Sequence, residues 1–584
     1  MAKAESKRII ASIAVLAICL AVLLCGLLSN GDFAAKAQSR TGSWDDYAAD
    51  ELTLLDPSKP NAKDNPYIIS SAADIAYLSV SVNQGQEYIN QYFLQTADID
   101  LDAHYFTPIG QNVKGFSGIY DGNGYTISNL YIDQPQQTQT GLFGYVRTTA
   151  NPDDESGALI NITISGGEVR GGVYVGGIAG FFNGKKIYNC KTNLVIKQGE
   201  TDNSYIGGIT GFNRATIEKC YFNGEIDAPD GLYVGGIAGR NAMEGDESRG
   251  IITDCFNAGS VKGSNFVGGI AGHNNGTIKN IFNSGRVEAD INCGGIIGYN
   301  NGHAAYGYNI GATFFGLSYA GAVLGGRSSN ALSYNLYYNK SAANTPFLDI
   351  KAIGRENRPI SEAADDIENN VIGLYYHEMI NLAPSMELEQ GNWTYFENTE
   401  NFGYLPNLKS FDGQSGIKEY AKFELFGGDS TSPDWGSQIQ PYLISKAEQF
   451  AIISHNVNNG ITGYQNKTFK LIDNIDFSSI GNFEPIGGEA RPFNADIEGG
   501  NLALRNLSLN GDGNTALIAF YDGGSIRELT VENFTVNGGG YTAALVSQSH
   551  NARYEKIKIL NSAINGQSHT AGLAAFSDQD QIIE

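Results

Sequence analysis

The chain has 584 residues, 17% of them charged, and a formal net charge of −24. That acidic balance leaves no surplus of Lys and Arg to neutralise phosphates, which argues against nucleic acid as a partner. With 73 glycines, 32 tyrosines and 28 phenylalanines against 15 prolines, the composition excludes a bundle of long amphipathic helices and points to short strands and tight turns in two to four domains.

Lys3, Lys7 and Arg8 precede an uncharged, mostly apolar run over residues 9–28, and Ala35 and Ala37 lie three and one before Gln38. A positive segment, an apolar core and small residues in that order read as a signal peptide over residues 1–37, removed before Gln38. The apolar run is also just long enough to span a bilayer, so a retained N-terminal anchor is the second reading. Cys25 follows two leucines where a lipoprotein signal needs a small residue, which makes lipidation the weakest of the three. Each reading places residues 38 onward outside the cytoplasm, with membrane contact through this segment alone. Residues 38–62 form a polar leader in which little order is expected.

Residues 63–340 carry the clearest organisation. NPYIISSAADIAYLSVSVNQG (65–85) reads as a strand followed by a helix. Ser71 three before Asp74 makes a capping box, and Ile75, Leu78 and Val82 share one face. The helix is expected to cover an open strand edge that other chains would otherwise pair with. A repeat follows: VGGIAGFFNGKKIYNC (175–190) returns as IGGITGFNRATIEKC (206–220), VGGIAGRN with ITDC (234–255), VGGIAGHNNGTIKNI (267–281) and CGGIIGYNNG (293–302). The first glycine falls at 176, 207, 235, 268 and 294, and AGAVLGG (320–326) is a decayed further copy. CYFNGEI, CFNAGSV and IFNSGRV recur in step, so each period holds short strand-like pieces separated by Asn/Gly turns.

A period near 30 with short β segments is the mark of a β-solenoid, whose coils stack through parallel hydrogen bonds at about 4.8 Å. In such a stack Gly176, Gly177, Gly207, Gly208, Gly235, Gly236, Gly268, Gly269, Gly294 and Gly295 are expected to turn corners and let backbones approach. Ile178, Ile209, Ile237, Ile270 and Ile296 are expected to face the core. Cys190, Cys220 and Cys255 share one phase with Ile281 next, so they read as a buried ladder of reduced cysteines. A bridge between neighbouring cysteines is the alternative that export permits. Ile217 and Cys220 lie three apart, which a flat strand cannot put on one face, so a bend is expected between them.

The [VI]-G-G-I-[AT]-G core followed by N, I, C and [FY]-N-x-G-x-[VI] resembles the GLUG motif. That repeat is found in bacterial surface proteins and in the N-terminal regions of IgA-specific metalloendopeptidases. The resemblance covers residues 116–339 closely and 493–584 loosely, and it speaks to architecture more than to activity. It implies a right-handed parallel β-helix, the hand general to parallel crossovers, on a bacterial surface.

The repeat is lost over 341–435, expected to be an irregular or helical closing segment and linker, with one or two helices across 360–382. Residues 436–584 begin again. QPYLISKAEQFAIISHNVNNG (440–460) echoes 65–85, and DNIDF with EPIG (473–487) echoes ADIDL with TPIG (97–110). Ser445 three before Glu448 is expected to cap a second helix, with Phe450, Ile453 and Val457 on its buried face. The expected fold is thus all-β: two tandem right-handed parallel β-solenoids, each behind a short capping helix. The second breaks off within a coil, which reads as truncation.

Chemistry-bearing motifs are scarce. Gly184-Lys185 suggests a phosphate loop, but Ala179 stands where Walker A needs glycine, and Lys186 replaces its Ser or Thr. HEMIN (377–381) is one ligand short of HExxH, because Asn381 replaces the second His. Residues 121–124 and 510–514 resemble calcium loops without the Gly and the acid of an EF-hand. No cofactor is expected, weak surface calcium at those two turns being the one metal option. Asp98 with Asp100 and Asp153 with Asp154 read as hydrated turns, and no catalytic constellation is expected. Exposed tyrosine rows can stack sugar rings.

The expected function is an exported, non-catalytic scaffold at the bacterial cell surface, serving adhesion or display through a host or cell-surface protein or glycan. One rival is the N-terminal arm of a larger surface enzyme such as an IgA-cleaving-type metallopeptidase. Another is a polysaccharide lyase or hydrolase built on the solenoid itself.

Overall fold

A computed structural model describes residues 42–583, with short breaks at 103, 112–114, 150, 152–153, 202, 243–249, 312, 459, 461–463, 479 and 481–482, and only in pieces between 340 and 435. One parallel ladder starts at Tyr67–Ile69 and passes through Tyr92–Gln95, Ile119–Asp121, Ala158–Ile160, Lys186–Tyr188 and Thr216–Glu218. It continues through Ile251–Asn257, Thr277–Asn283, His303–Asn309 and Leu332–Asn339 to Val371–Leu374. Ile187, Ile217, Ile252 and Ile278 sit directly above one another and are fully buried. One coil consists of four short strands, as in Tyr174–Gly176, Ala179–Asn183, Lys186–Tyr188 and Lys191–Gln198. A second parallel ladder joins Tyr442–Ile444, Thr468–Leu471, Asp496–Glu498, Ser525–Arg527, Arg553–Glu555 and Gln581–Ile583. The chain is a β-solenoid.

Two helices, α1 (Ala72–Asn83) and α2 (Ala447–Asn458), follow the first strand of each ladder. The Ser71 hydroxyl accepts from Asp74 N–H, and the Asp74 carboxylate accepts from Ser70 and Ser71 N–H, both at 2.9 Å. In α2 the Gln449 side-chain oxygen takes that place, accepting from Ser445 N–H at 2.7 Å and Lys446 N–H at 3.0 Å. The expected cap was therefore one residue out of step. Lys446 precedes the first helical residue. Both helices are fixed to the next coil identically. Ser79 and Asn83 donate to the Thr107 and Pro108 carbonyls at 2.7 and 3.0 Å. Ser454 and Asn458 donate to those of Glu484 and Pro485 at 2.5 and 3.0 Å. The duplication visible in the sequence is a duplication of contacts.

Residues 42–62 are folded onto the stack, against the expectation of little order. The Trp44 indole N–H donates to the Leu101 carbonyl at 3.2 Å, and Leu52 packs on the apolar core. Beyond 340 the first ladder also runs on. Lys351–Glu356 pairs with Thr313–Arg327, and Val371–Leu374 is a strand where a helix was expected. Val371 falls in register with Leu336, and both are fully buried. Most of the expected 360–382 helix lies outside the described residues.

The bend between Ile217 and Cys220 is present and recurs in every neighbouring coil. Asn161, Asn189, Lys219, Asp254, Asn280, Tyr306 and Asn335 hold φ between 50° and 58°. The repeat glycines do something else. The second glycine of each pair lies in the bend between two strands, as expected of a corner, but none of the ten has φ in the left-handed region, so a left-handed turn is not what requires glycine there. A methyl group on Gly176, Gly207, Gly235, Gly268 or Gly294 would lie 2.0–2.2 Å from the carbonyl oxygen three residues on. On Gly177, Gly208, Gly236 and Gly269 it would lie 2.1–2.5 Å from the carbonyl of the second repeat glycine in the next coil. Gly295 has the Ala322 carbonyl at 2.1 Å. These positions are glycine because backbone passes where Cβ would be.

Ile178, Ile209, Ile237, Ile270 and Ile296 are fully buried, as are Cys220, Cys255 and Ile281, with Cys190 at 1%. Cys190 and Cys220 N–H groups each point at the next cysteine's sulfur at 3.4 Å, and all four described cysteines are free. Burial pushes the Cys190 and Cys220 thiols well above their ordinary range. The folded chain is therefore expected to resist a bulky thiol reagent at pH 8 and to release four reactive thiols from residues 42–583 on denaturation; fewer would mean a bridge.

Two polar ladders run inside this core. Asn213 donates to Asn241, Asn241 to Asn274 and Asn274 to Asn300, each at 2.8 Å, and Asn300 to the Ser333 hydroxyl at 3.0 Å. A second links Asn257, Asn283, Asn309 and the Ala322 carbonyl at 2.7–2.8 Å. All seven asparagines are buried.

Candidate binding face

A column of side chains stands on one lateral side of the first stack, on the strand that enters the Gly-Gly step. Tyr174, Tyr205, Tyr233 and Phe266 stack with ring centroids 5.3, 4.8 and 5.2 Å apart and interplanar angles of 23°, 7° and 12°. The coil spacing sets this distance, because each ring rides on the rung below. A second column stands on the strand that leaves the step, with Tyr145, Phe181, Phe212, Arg240, His273 and Tyr299 in register. Phe181 and Phe212 stack at 5.0 Å and 5°, and the Arg240 guanidinium lies 5.5 Å over Phe212. The columns meet edge to face: Tyr205 lies against Phe212 at 79°. Tyr174, Tyr205, Tyr233, Phe266, Phe181 and Arg240 are all half-buried. The second stack repeats the theme, with Tyr541 over His569 at 4.7 Å and Phe576 beside Tyr541 at 5.7 Å.

Ring stacking limits what this face can bind. Tyr205 has a ring on each of its faces, and so does Tyr233. They turn only rims and hydroxyls outward. Sugar stacking needs an open ring face, so these tyrosines are not the sugar platform the sequence suggested.

His273 shows how dry the column is. Its Nδ1 is buried without a hydrogen-bond partner, and burial, then Arg240, holds its pKa down at about 4 from 6.5. The unfolded chain takes up a proton near pH 6.5 that the folded chain refuses until about pH 4. Stability is thus full above about pH 6.5 and declines as pH falls towards 4, by about 3 kcal/mol at most. His273→Phe keeps a ring in the column and is expected to flatten that decline, read as urea midpoint against pH from 7 to 4.

A similar column elsewhere on the stack is covered. Tyr221, Phe256, Phe282 and Tyr308 stack at 4.6, 4.6 and 5.2 Å. The Phe411 ring stands edge-on to Phe256 at 5.1 Å and 81°, and Trp393 lies 5.7 Å from Tyr308. Beside them Glu389 pairs with Lys279 at 3.3 Å and accepts from Asn392 at 2.6 Å.

The other sequence candidates sit in ordinary turns. Gly184 packs where a Cβ would meet the Gly157 carbonyl at 2.2 Å, and Lys185 and Lys186 are half-buried on the adjacent turn. Asp98 accepts from Thr126 N–H at 2.8 Å, and Asp100 from Asp102 N–H at 3.0 Å. Asp121 accepts from Asn123 N–H and from the Asn161 side chain at 2.8 and 2.9 Å. Asn510 accepts from Asn537 at 2.7 Å. Among the described residues no group of three His, Cys, Asp or Glu is placed to hold a metal ion. Asp153, His377 and the signal segment 1–37 lie outside the described residues.

No family model matches the chain. Over 250 residues, 37% of its length, it is 30% identical to halomucin of Haloquadratum walsbyi, of which the match covers 3%. Over 110 residues, 18% of its length, it is 31% identical to a protein of Evansella cellulosilytica called "Putative Gly-rich membrane protein", of which the match covers 11%. A crystal structure described as "a putative immunoglobulin A1 protease from Bacteroides ovatus" aligns with 60% of this chain and 94% of that one, at a TM-score of 0.35 and 17% identity. The chain thus spans only 3% and 11% of the curated relatives it matches. No helix among the described residues is long and apolar enough to cross a membrane.

Proposed function

We propose that the chain is an exported, non-catalytic scaffold of GLUG-repeat kinship at the cell surface, working by adhesion or display. The observation that carries this reading is the parallel ladder from Tyr67–Ile69 to Val371–Leu374, which presents an extended lateral face bearing half-buried aromatic columns. A partner laid along such a face meets the same contacts coil after coil, so weak single contacts add up. The Evansella cellulosilytica relative is named as a membrane protein, and the charged, apolar, small-residue order of residues 1–37 suits delivery across a membrane. The test is protease added to intact bacteria expressing the full chain with an internal tag at residues 243–249. Loss of the tag from whole cells is expected. A tag that stays protected until lysis would overturn the reading.

A further inference from the structure

We propose that the column of Tyr205, Tyr233 and Phe266, with Arg240 beside it, docks an extended peptide of a partner protein that carries an aromatic residue next to a carboxylate. This rests on the surface-scaffold reading and names the chemistry of its partner. Three observations lead to it.

The first is what the column offers. Rings stacked on both faces leave only their rims outward, with the hydroxyl on the tyrosines, and the C–H rim is the positive part of an aromatic quadrupole. A rim attracts the face of another ring, whereas a sugar needs a ring face and finds none on Tyr205 or Tyr233. The second is a precedent in the same molecule. Phe256, also stacked on both faces, is met edge-to-face by Phe411, and the carboxylate of Glu389 seats itself on Lys279 nearby. The chain covers one column of stacked rings with aromatic rings and a carboxylate of its own. The third is charge. Arg240 makes no ion pair among the described residues, and its Nε is buried without an acceptor. His273, next in the column, is neutral above about pH 5 because its pKa lies near 4. Among the described residues Arg240 is thus a cation without a carboxylate partner, set among rings, on a chain of net charge −24. A carboxylate is the group that complements it, through a charge-assisted hydrogen bond strengthened by the apolar surround.

The test is selection of a displayed random dodecapeptide library on the purified full chain, followed by affinity measurement on the enriched peptides. Enrichment of Phe, Tyr or Trp beside Asp or Glu is expected. Arg240→Gln should weaken those peptides about tenfold, the effect of losing one charge-assisted contact. Tyr205→Ser with Tyr233→Ser should weaken them further. Thermal melts establish that each variant is folded, and if the double variant is not, Arg240→Gln decides alone. No enrichment, enrichment without acid, or affinities unmoved by Arg240→Gln would each overturn the proposal. So would cello- or chito-oligosaccharide binding lost in the same variants, or concentration-dependent self-association lost in Arg240→Gln. Peptide binding that holds while the protease assay shows the chain inside the cell would sink the surface reading and leave the docking chemistry standing.

Discussion

Asn274→Leu is expected to remove about 4 kcal/mol of local stability, although it replaces a polar side chain in an apolar core with an apolar one. Asn274 stands in the middle of its ladder. Its side-chain N–H2 donates to Asn300 at 2.8 Å and to the His303 carbonyl at 3.1 Å. Its oxygen accepts from Asn241 at 2.8 Å and from Gly276 N–H at 3.1 Å. Leucine answers none of these, and the groups left behind cannot reach water. Each stranded buried donor or acceptor costs roughly 1–3 kcal/mol, and the Gly276 N–H loses the side-chain oxygen it was paired with. Asn213, at the start of the ladder, donates to Asn241 and bonds its own turn at Ala215, so Asn213→Leu should cost about 1 kcal/mol less. The triple change of Asn241, Asn274 and Asn300 to Leu should cost less than three times the single one, because partners vanish together. Amide hydrogen exchange across residues 241–302 reads the effect coil by coil, which suits a stack that opens locally. A neutral Asn274→Leu would mean that the ladder contributes register alone.

The same ladder shows where the sequence was legible and where it was not. Period, phase and buried positions could be read because each coil repeats the one below, so Ile187, Ile217, Ile252 and Ile278 fall into line. The asparagines carried a nearly as regular signal, Asn two residues after the third glycine in the four copies that follow the first, at Asn213, Asn241, Asn274 and Asn300. A turn alone would accept Asp, Ser or Gly there. A carboxylate only accepts and a hydroxyl has a single proton, whereas an amide offers two N–H donors and an acceptor, so asparagine passes a hydrogen bond from coil to coil and still bonds a backbone carbonyl. Val371–Leu374 went the other way. A short apolar run is ambiguous between helix and strand until the register of its partner is known, and that register comes from Leu336–Asn339. The cap of α2 was missed by one residue because serine was matched to serine. The bond actually shared is that of Asp74 and Gln449 to the two N–H groups before them. The aromatic columns were visible as tyrosines, but not that their faces are already taken, since stacking depends on which neighbours the coil spacing brings to 5 Å.

Gly236 separates the two roles that a repeat glycine can play, and the expected results differ in order as well as size. If it served a left-handed corner, Gly236→Asn would be milder than Gly236→Ala, because asparagine tolerates that conformation best after glycine. The structure dictates the reverse. A Cβ at Gly236 would meet the Gly269 carbonyl oxygen at 2.2 Å and the Asn257 side chain at 2.5 Å. Relief would have to come from backbone of the next coil and from the second asparagine ladder, since Asn257 donates to Asn283 at 2.7 Å. Alanine is therefore expected to cost at least about 3 kcal/mol, at the upper end for overpacking, and asparagine, being larger, more. Lys219 is the control, a side chain held at φ 55° on the bend of the preceding coil. Lys219→Gly releases a conformation that L residues pay about 1 kcal/mol to hold, so it should be neutral or stabilising. Urea midpoints and exchange rates of Gly236→Ala, Gly236→Asn and Lys219→Gly decide the matter. A Gly236→Asn variant more stable than Gly236→Ala would return the repeat glycines to a left-handed corner role, and would mean that the coils stand further apart than the ladder from Gly177 to Gly295 requires.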